Sequence, residues 1–380
     1  SAAEKLKSML ESPDAEDRAV GARILGDIGV KNFYHPLLAL MLDDDVKVRI
    51  AAIKAAGEMQ SPELMPALVY RIEDPVTRAA ASEALAAFGP SAVRLLVRVL
   101  ENPDEGISTR LAIPAILARI ADKKALDALI DHIEDPNEEM RVRTLEGIHR
   151  IRLRKPHLVV PRKKIERAVR METRSLYHQW FVKSDLELER GSLLDDALIH
   201  RRDMTIRRIF RLLGCLLPVR TIDAIFNNLS SPLRRVHANA VELLDSMLEK
   251  EIKRLLVPLL DETLIEDRIE IGREVFGLKR SSHAERLADL VQEDNPWLKS
   301  CAIWMMGQAG EEENAEVVLD GTVSDSTIVR ETTLEALGKL LPAERFHKTL
   351  KRHLKDSSPA IRKYASWLLR KSQQSHSPAS

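Results

Sequence analysis

The sequence predicts an all-α protein, a right-handed α-solenoid of about eleven stacked helix pairs with one enlarged near the middle. Three observations predict it. First, a Pro/Asp/Ser-rich turn, an apolar residue, a basic residue and a small-residue-rich apolar stretch return together eleven times. The basic members are Arg18, Arg49, Arg78, Arg110, Arg143, Arg207, His237, Arg268, Lys299, Arg330 and Arg362, spaced by 31, 29, 32, 33, 64, 30, 31, 31, 31 and 32 residues. A fixed period of this length marks stacked supersecondary units. The interval of 64 is two periods, so one unit is remodelled rather than lost. Second, the apolar residues make up 44% of the chain but the aromatics only 4%. The bulk is Leu, Ala, Ile and Val, which suits close helix stacking. Third, Gly or Ala follows the cation by three positions at Gly21, Ala52, Ala81, Ala240, Ala302 and Ala365. Gly follows it by eight at Gly26, Gly57, Gly307 and Gly338. Small residues on one face let neighbouring helices approach.

The elements follow in order. Residues 1–155 hold about five units. In the second, Phe33, Leu37, Leu38 and Leu40 to Leu42 form a short apolar helix. Asp43, Asp44 and Asp45 end it and offer caps to the next, which runs from Val46 to Gly57. The third repeats this over Leu64 to Ile72 and Val76 to Phe88, with Asp74-Pro75 between. Pro13, Pro103, Pro136, Pro232, Pro296 and Pro359 sit in equivalent turns, where a missing N–H costs nothing. Pro114 falls inside a predicted helix and is expected to kink or split it. Residues 156–217 are the enlarged unit: a helix of about 20 residues from Arg162, then helical stretches over 192–202 and 204–217. Residues 218–371 hold about five more units, and the polar stretch 372–380 is expected to be disordered.

Composition narrows the function. Cys215 and Cys301 lie far apart in apolar runs and read as buried thiols in a reducing compartment. No apolar stretch reaches the ~18 residues that span a bilayer, no signal peptide pattern opens the chain, and a first residue of Ser fits a processed product or an excised segment. The expected location is cytoplasmic. Net charge is zero but unevenly spread: residues 1–149 carry 18 basic and 25 acidic groups, and residues 150–174 carry 10 basic and 2 acidic. That basic island is the best candidate binding surface: Arg150, Arg152, Arg154, Lys155, Arg162, Lys163, Lys164, Arg167, Arg170 and Arg174. Three readings stand for it: a solvated helix face paired with the acidic run Asp185–Glu189, a dock for an acidic protein or an anionic membrane surface, or a nucleic-acid contact. A chain of zero net charge disfavours the last. On the same helix Tyr177, Trp180 and Phe181 are candidates for an apolar binding face.

No constellation for catalysis is visible. The eleven His are scattered, without an H-x-x-x-H pair. No G-x-S-x-G elbow, P-loop or G-x-G-x-x-G is present. The expectation is a non-enzyme that needs no cofactor and no metal.

The repeated phrase, fullest at Asp45 to Ala52 and Asp325 to Gly338, resembles HEAT repeats. That resemblance implies the architecture above and reads the periodic cations as structural, each tucked against its preceding turn. HEAT-like iron hydroxylases of deoxyhypusine carry His-Glu pairs, and this sequence has none. HEAT-like alkylpurine DNA glycosylases use a basic cleft with aromatic residues, but here Trp180, Trp297, Trp304 and Trp367 fall in different units. No motif supports the HEAT-like bilin lyases. A narrower resemblance covers Ser175 to Glu262, carried by Leu193-Leu194-Asp195-Asp196-Ala197-Leu198, Arg207 to Gly214, Ile222 to Ile225, Arg235 to Asp245 and Arg254 to Asp261. This stretch is similar to the soluble HEAT segment of bacterial ATP/ADP-translocase-like and major-facilitator-like fusion proteins. It implies a regulatory module at the cytosolic face of the inner membrane, with protein partners and a neighbouring membrane domain. In such proteins a membrane domain precedes the HEAT segment and a cyclic-nucleotide-binding-like domain follows it in some; this sequence shows the pattern of neither.

Overall fold

A computed structural model describes residues 2–261 and 263–374. Among them are 22 α-helices, four short 3-10 turns and no strand. They divide into two compact units.

The first unit comprises residues up to 169 together with 210–230. Its helix pairs are α1 (Ala2–Leu10) with α2 (Ala15–Ile28), α3 (His35–Leu40) with α4 (Val46–Met59), and α5 (Met65–Arg71) with α6 (Arg78–Ala87). Then come α7 (Pro90–Glu101) with α8 (Ile107–Ile120), and α9 (Lys123–Asp131) with α10 (Glu138–Arg154). Two long helices follow, α11 (Arg162–Asp185) and α12 (Leu193–Leu216), and the division between units falls inside both. The helix α13 (Val219–Leu229) completes the first unit and packs on α10. The second unit, the described residues of 170–209 and from 231 onward, holds α14 (Arg234–Met247), α15 (Lys250–Leu260), α16 (Ile265–Phe276), α17 (His283–Gln292) and α18 (Pro296–Ala309). It ends with α19 (Ala315–Leu319), α20 (Thr327–Leu340), α21 (Ala343–His353) and α22 (Pro359–Gln374). The pairs α1–α2 to α9–α10 in the first unit, and α15–α16 to α21–α22 in the second, are those expected of an α-solenoid.

Second helices stack on second helices: α2 on α4, α4 on α6, α6 on α8 and α8 on α10 in the first unit, α18 on α20 and α20 on α22 in the second. The small residues make this possible. A Cβ added to Gly57 would stand 2.8 Å from Ala84 Cα, and one added to Gly307 would stand 2.8 Å from Ala336 Cα. At both seams the backbone itself is the obstacle, so a larger residue must push the helices apart. Between the stacked helices lie fully buried aliphatics such as Ile53, Leu85, Leu96 and Leu117, and in the second unit Leu290, Ile303, Leu337 and Ile361.

The turn residues act as caps. Asp14 and Asp45 accept the backbone N–H two residues on, Asp122 and Asn137 the one three on, and Ser282 with Glu285 forms a capping box. Each of these satisfies a donor that the helix start leaves open. The periodic arginines clamp the same turns. Arg18, Arg49, Arg78, Arg330 and Arg362 each donate to the carbonyls six and five residues before them. Arg18 also forks onto Asp43 at 2.7 and 2.9 Å, and Arg330 reaches Asp356 at 3.0 Å, so each tethers the turn of the following unit. Two neighbouring carbonyls and a carboxylate suit a planar guanidinium, whereas an ammonium or imidazole offers no such fork. Lys299 and His237 are half-buried at the equivalent positions.

Four expectations change. In the fifth unit the clamp is Arg141, on Asp135 and Pro136, whereas Arg143 is exposed and pairs with Glu139 one turn away. In the enlarged unit Arg207 is exposed and its neighbour Arg208 is buried. Pro114 does not split its helix, since α8 runs unbroken through it. The stretches 192–202 and 204–217 are one helix, α12. Both cysteines are buried free thiols, and burial pushes Cys215 up to about 12 and Cys301 to about 11. The last helix extends to Gln374, and residues 375–380, assigned to the expected disordered tail, lie outside the described residues.

Candidate functional site

The enlarged helices α11 and α12 carry most of the candidate residues. Within the second unit they bring together an unusual set of buried polar groups. Glu172 and Arg208 pair at 2.9 Å with side chains 1% and 3% exposed, and Arg208 also donates to the Thr205 hydroxyl at 3.0 Å. Asp195, buried at the start of α12, takes the Lys183 ammonium at 2.6 Å. Asp185 accepts from Arg286 at 2.7 and 3.1 Å and from Arg280 at 3.0 Å. The same Arg286 donates to His178 Nε2 at 3.1 Å. A ring nitrogen facing a guanidinium must stay unprotonated. Burial, then Arg286, Arg201 and Arg174, depress His178 to about 4.

A depressed histidine makes stability depend on pH. Its ordinary value is 6.5, so between pH 6.5 and about 4 the unfolded chain binds a proton that the folded chain excludes. The contribution of His178 is complete above pH 6.5 and lost as pH falls toward 4. Urea midpoints of the second unit recorded from pH 7 to pH 4.5 should fall less steeply in His178→Gln than in the wild type. Parallel profiles would show that the ring is solvated.

The aromatic candidates are mostly interior. Tyr177 and Phe181 are buried. The Tyr177 hydroxyl donates to Leu255 O at 2.9 Å, and Phe181 packs against Gly272, where an added Cβ would come within 2.8 Å of its ring. These two rings hold α11 onto the second unit and do not form a surface. Trp180 is half-buried, with the Arg268 guanidinium 4.3 Å above its ring, a close cation–π pair. Ile165, Val169, Leu176 and Trp180 share one stripe of α11, but the helix is covered on more than one side, so its apolar residues face the interior. A space of about 20 Å³ beside Trp180 and Gln179 has room for no more than one water.

The basic island is partly used up inside the chain. In the first unit Lys164 pairs with Asp131 at 2.8 Å, Arg167 forks onto Glu134, and Arg162 pairs with Glu166 on its own helix at 2.7 Å. Arg152 donates to the Pro156 and Leu158 carbonyls, both at 2.7 Å, and Arg154 reaches Arg119 O at 3.4 Å. In the second unit Arg170 lies over the Phe276 ring at 5.0 Å. Arg150, Lys163 and Arg174 are exposed and Lys155 half-exposed, and none has an ion-pair partner among the described residues. The expected pairing with the acidic run does not occur at Asp185, whose partners are Arg280 and Arg286. The partners of Lys164 and Arg167 sit 33 residues back, one repeat period.

Two features were missed in the sequence. An apolar groove of about 1020 Å³ lies among α1, α2 and α3, lined by Leu6, Met9, Leu10, Ile24, Ile28 and Phe33. Trp297, Trp304 and Trp367 are exposed, at 47%, 40% and 48%, and, against the expectation of separate units, the first two share one helix, α18. A register signal was present for the last two, because Trp304 and Trp367 each stand five places after a periodic cation, Lys299 and Arg362. Among the described residues no group of three His, Cys, Asp or Glu is placed to hold a metal ion, and no helix is long and apolar enough to cross a membrane.

These features define a class: a solenoid of capped, arginine-clamped helix pairs. Residues 3–86 and 65–148 match the family of HEAT repeats, which places the first five pairs in that class by sequence as well as by shape. No curated protein sequence matches the chain. Among solved structures it is similar to a mutant of Kap121p, at 13% identity over 96% of this chain and 44% of that one, with a TM-score of 0.36. It is similar to Kap95p in a structure with RanGDP, at 13% identity over 99% of this chain and 56% of that one, TM-score 0.31. It is also similar to human deoxyhypusine hydroxylase in complex with glycerol, at 15% identity over 84% of this chain and 99% of that one, TM-score 0.26. The chain thus spans about half the length of the two larger proteins. At these scores the likenesses carry no inference about activity.

Proposed function

We propose that the chain is a non-catalytic scaffold that binds other proteins. The observation that carries this reading is the pairing of its buried ionisable groups. Glu172 meets Arg208, Asp185 meets Arg286 and Asp195 meets Lys183, so none is presented to a substrate. A catalytic site needs convergent titratable groups lining a concavity. The large concavity here is lined mainly by Leu, Ile, Met, Phe and Ala, with only Lys5, Lys7 and Glu11 charged on its wall, and the exposed tryptophans lie on α18 and α22. Stacked repeats offer long surfaces of this kind.

The finer reading is a cytosolic regulatory module of a larger bacterial transporter-like membrane protein. It rests on the sequence between Ser175 and Glu262, and would bring Arg150, Lys155 and Lys163 near anionic headgroups. The nucleic-acid alternative loses support from the island itself, because Lys164 and Arg167 are neutralised by Asp131 and Glu134. Titration against duplex DNA at several salt concentrations separates the two, alongside reconstitution of a co-purifying protein with the full chain by calorimetry. The scaffold reading expects a saturable complex with protein and weak DNA binding. A DNA affinity that falls steeply with salt, and that Arg150→Glu with Lys163→Glu abolishes, would sink it.

A further inference from the structure

The second helices α18, α20 and α22 stack in the second unit and so repeat one surface three times. Five places after the periodic cation they carry Trp304, Glu335 and Trp367 in turn. All three are exposed, and so is Glu331 one turn earlier on α20. Neither carboxylate has an ion-pair partner among the described residues, although Lys363 on α22 is also exposed nearby in register. Tyr364 stands beside Trp367 on the same helix, α22. Its ring stacks on Trp367 at 5.8 Å, and its phenol is raised by burial and then by the Glu335 and Glu331 carboxylates. Lys371 Nζ sits 4.9 Å over the Trp367 ring, so an ammonium of the chain itself already occupies that indole.

We propose that the strip Trp304–Glu331–Glu335–Trp367 is a docking surface for an extended, lysine- and arginine-rich segment of a partner protein. The inference rests on the scaffold reading and names its partner chemistry. Indoles receive the aliphatic stems and cationic heads of such residues, and the two carboxylates between them supply complementary charge. Stacked helices lie about 8–10 Å apart, and an extended chain rises about 3.3 Å per residue. One rung therefore matches roughly three residues, and the two indoles roughly six. A bound segment displaces Lys371 from Trp367, which makes that lysine an internal competitor.

The test is fluorescence anisotropy of labelled octalysine with the full chain at physiological salt, with octaglutamate as control. Octalysine is expected to bind and octaglutamate not. Glu331→Gln with Glu335→Gln should weaken octalysine at least tenfold, as should Trp304→Ala with Trp367→Ala, and Lys371→Ala should tighten it severalfold. All of these side chains are exposed, and circular dichroism checks that each variant folds as the wild type does. Absent octalysine binding, or affinities within twofold across these variants, overturns the strip. If a protein partner is still retained by the Trp304→Ala, Trp367→Ala variant, the strip falls and the scaffold reading survives; if the wild type retains none, both fall.

Discussion

Glu172→Ala should lower the stability of the second unit by about 3–5 kcal/mol, the cost of leaving a buried charge without its partner. The remaining Arg208 guanidinium would be 3% exposed and could not rotate out to water without opening the packing of α11 against α12. The attraction within the pair is not the reason. Burying both ions costs about as much as their attraction returns, so replacing both with apolar groups of similar volume is expected to be near neutral or stabilising. Glu172→Leu with Arg208→Met therefore belongs beside the single variant in a urea titration followed by circular dichroism. A loss below about 1 kcal/mol for the single variant would place the pair in the range of solvated ion pairs and contradict the burial described above. Arg162 and Glu166, a similar pair on the surface of α11, serve as the internal contrast, for which little change is expected.

Phe181→Ala is expected to cost about 3–5 kcal/mol, as large-to-small changes at a filled core position do. Phe181 is 1% exposed and seats its ring on Gly272 of α16, so truncation leaves a void that the rigid helices α11 and α16 cannot close. The result also decides a point about function. A ring on a binding surface would lose partner affinity and keep its stability, whereas a ring inside the unit does the reverse. The same urea titration reads it, with Arg174→Ala as the exposed control on the same helix. A midpoint unchanged in Phe181→Ala would restore the aromatic stripe of α11 as a surface.

The long aromatic helix shows why reading the candidate site was harder than reading the fold. Ile165, Val169, Leu176 and Trp180 lie on one stripe, as the spacing requires, and a stripe says that something covers the helix. It does not say whether the cover is a partner or the next repeat. Here the cover is the chain's own second unit for Tyr177 and Phe181. Likewise the ten cations of the island read as one patch along the sequence. In space Lys164 and Arg167 meet acidic residues one period earlier, which a comparison of charges at matching repeat positions would have revealed.

The sequence alone determined the class of the fold, the length of its period and the place of the enlarged unit. Each repeat contacts chiefly its neighbours, so short-range signals such as capping aspartates, turn prolines and seam glycines specify nearly everything. The periodic arginines were legible as structural for the same reason: their partners are the carbonyls five and six residues before them. Only the tertiary structure decided that Arg141 and Arg208 are the inward-facing cations of their units, and that Trp304, Glu335 and Trp367 are left exposed on the stacked helices α18, α20 and α22. Those facts depend on which side of each helix its neighbours cover, a property set by packing between repeats and not by the residues of one helix.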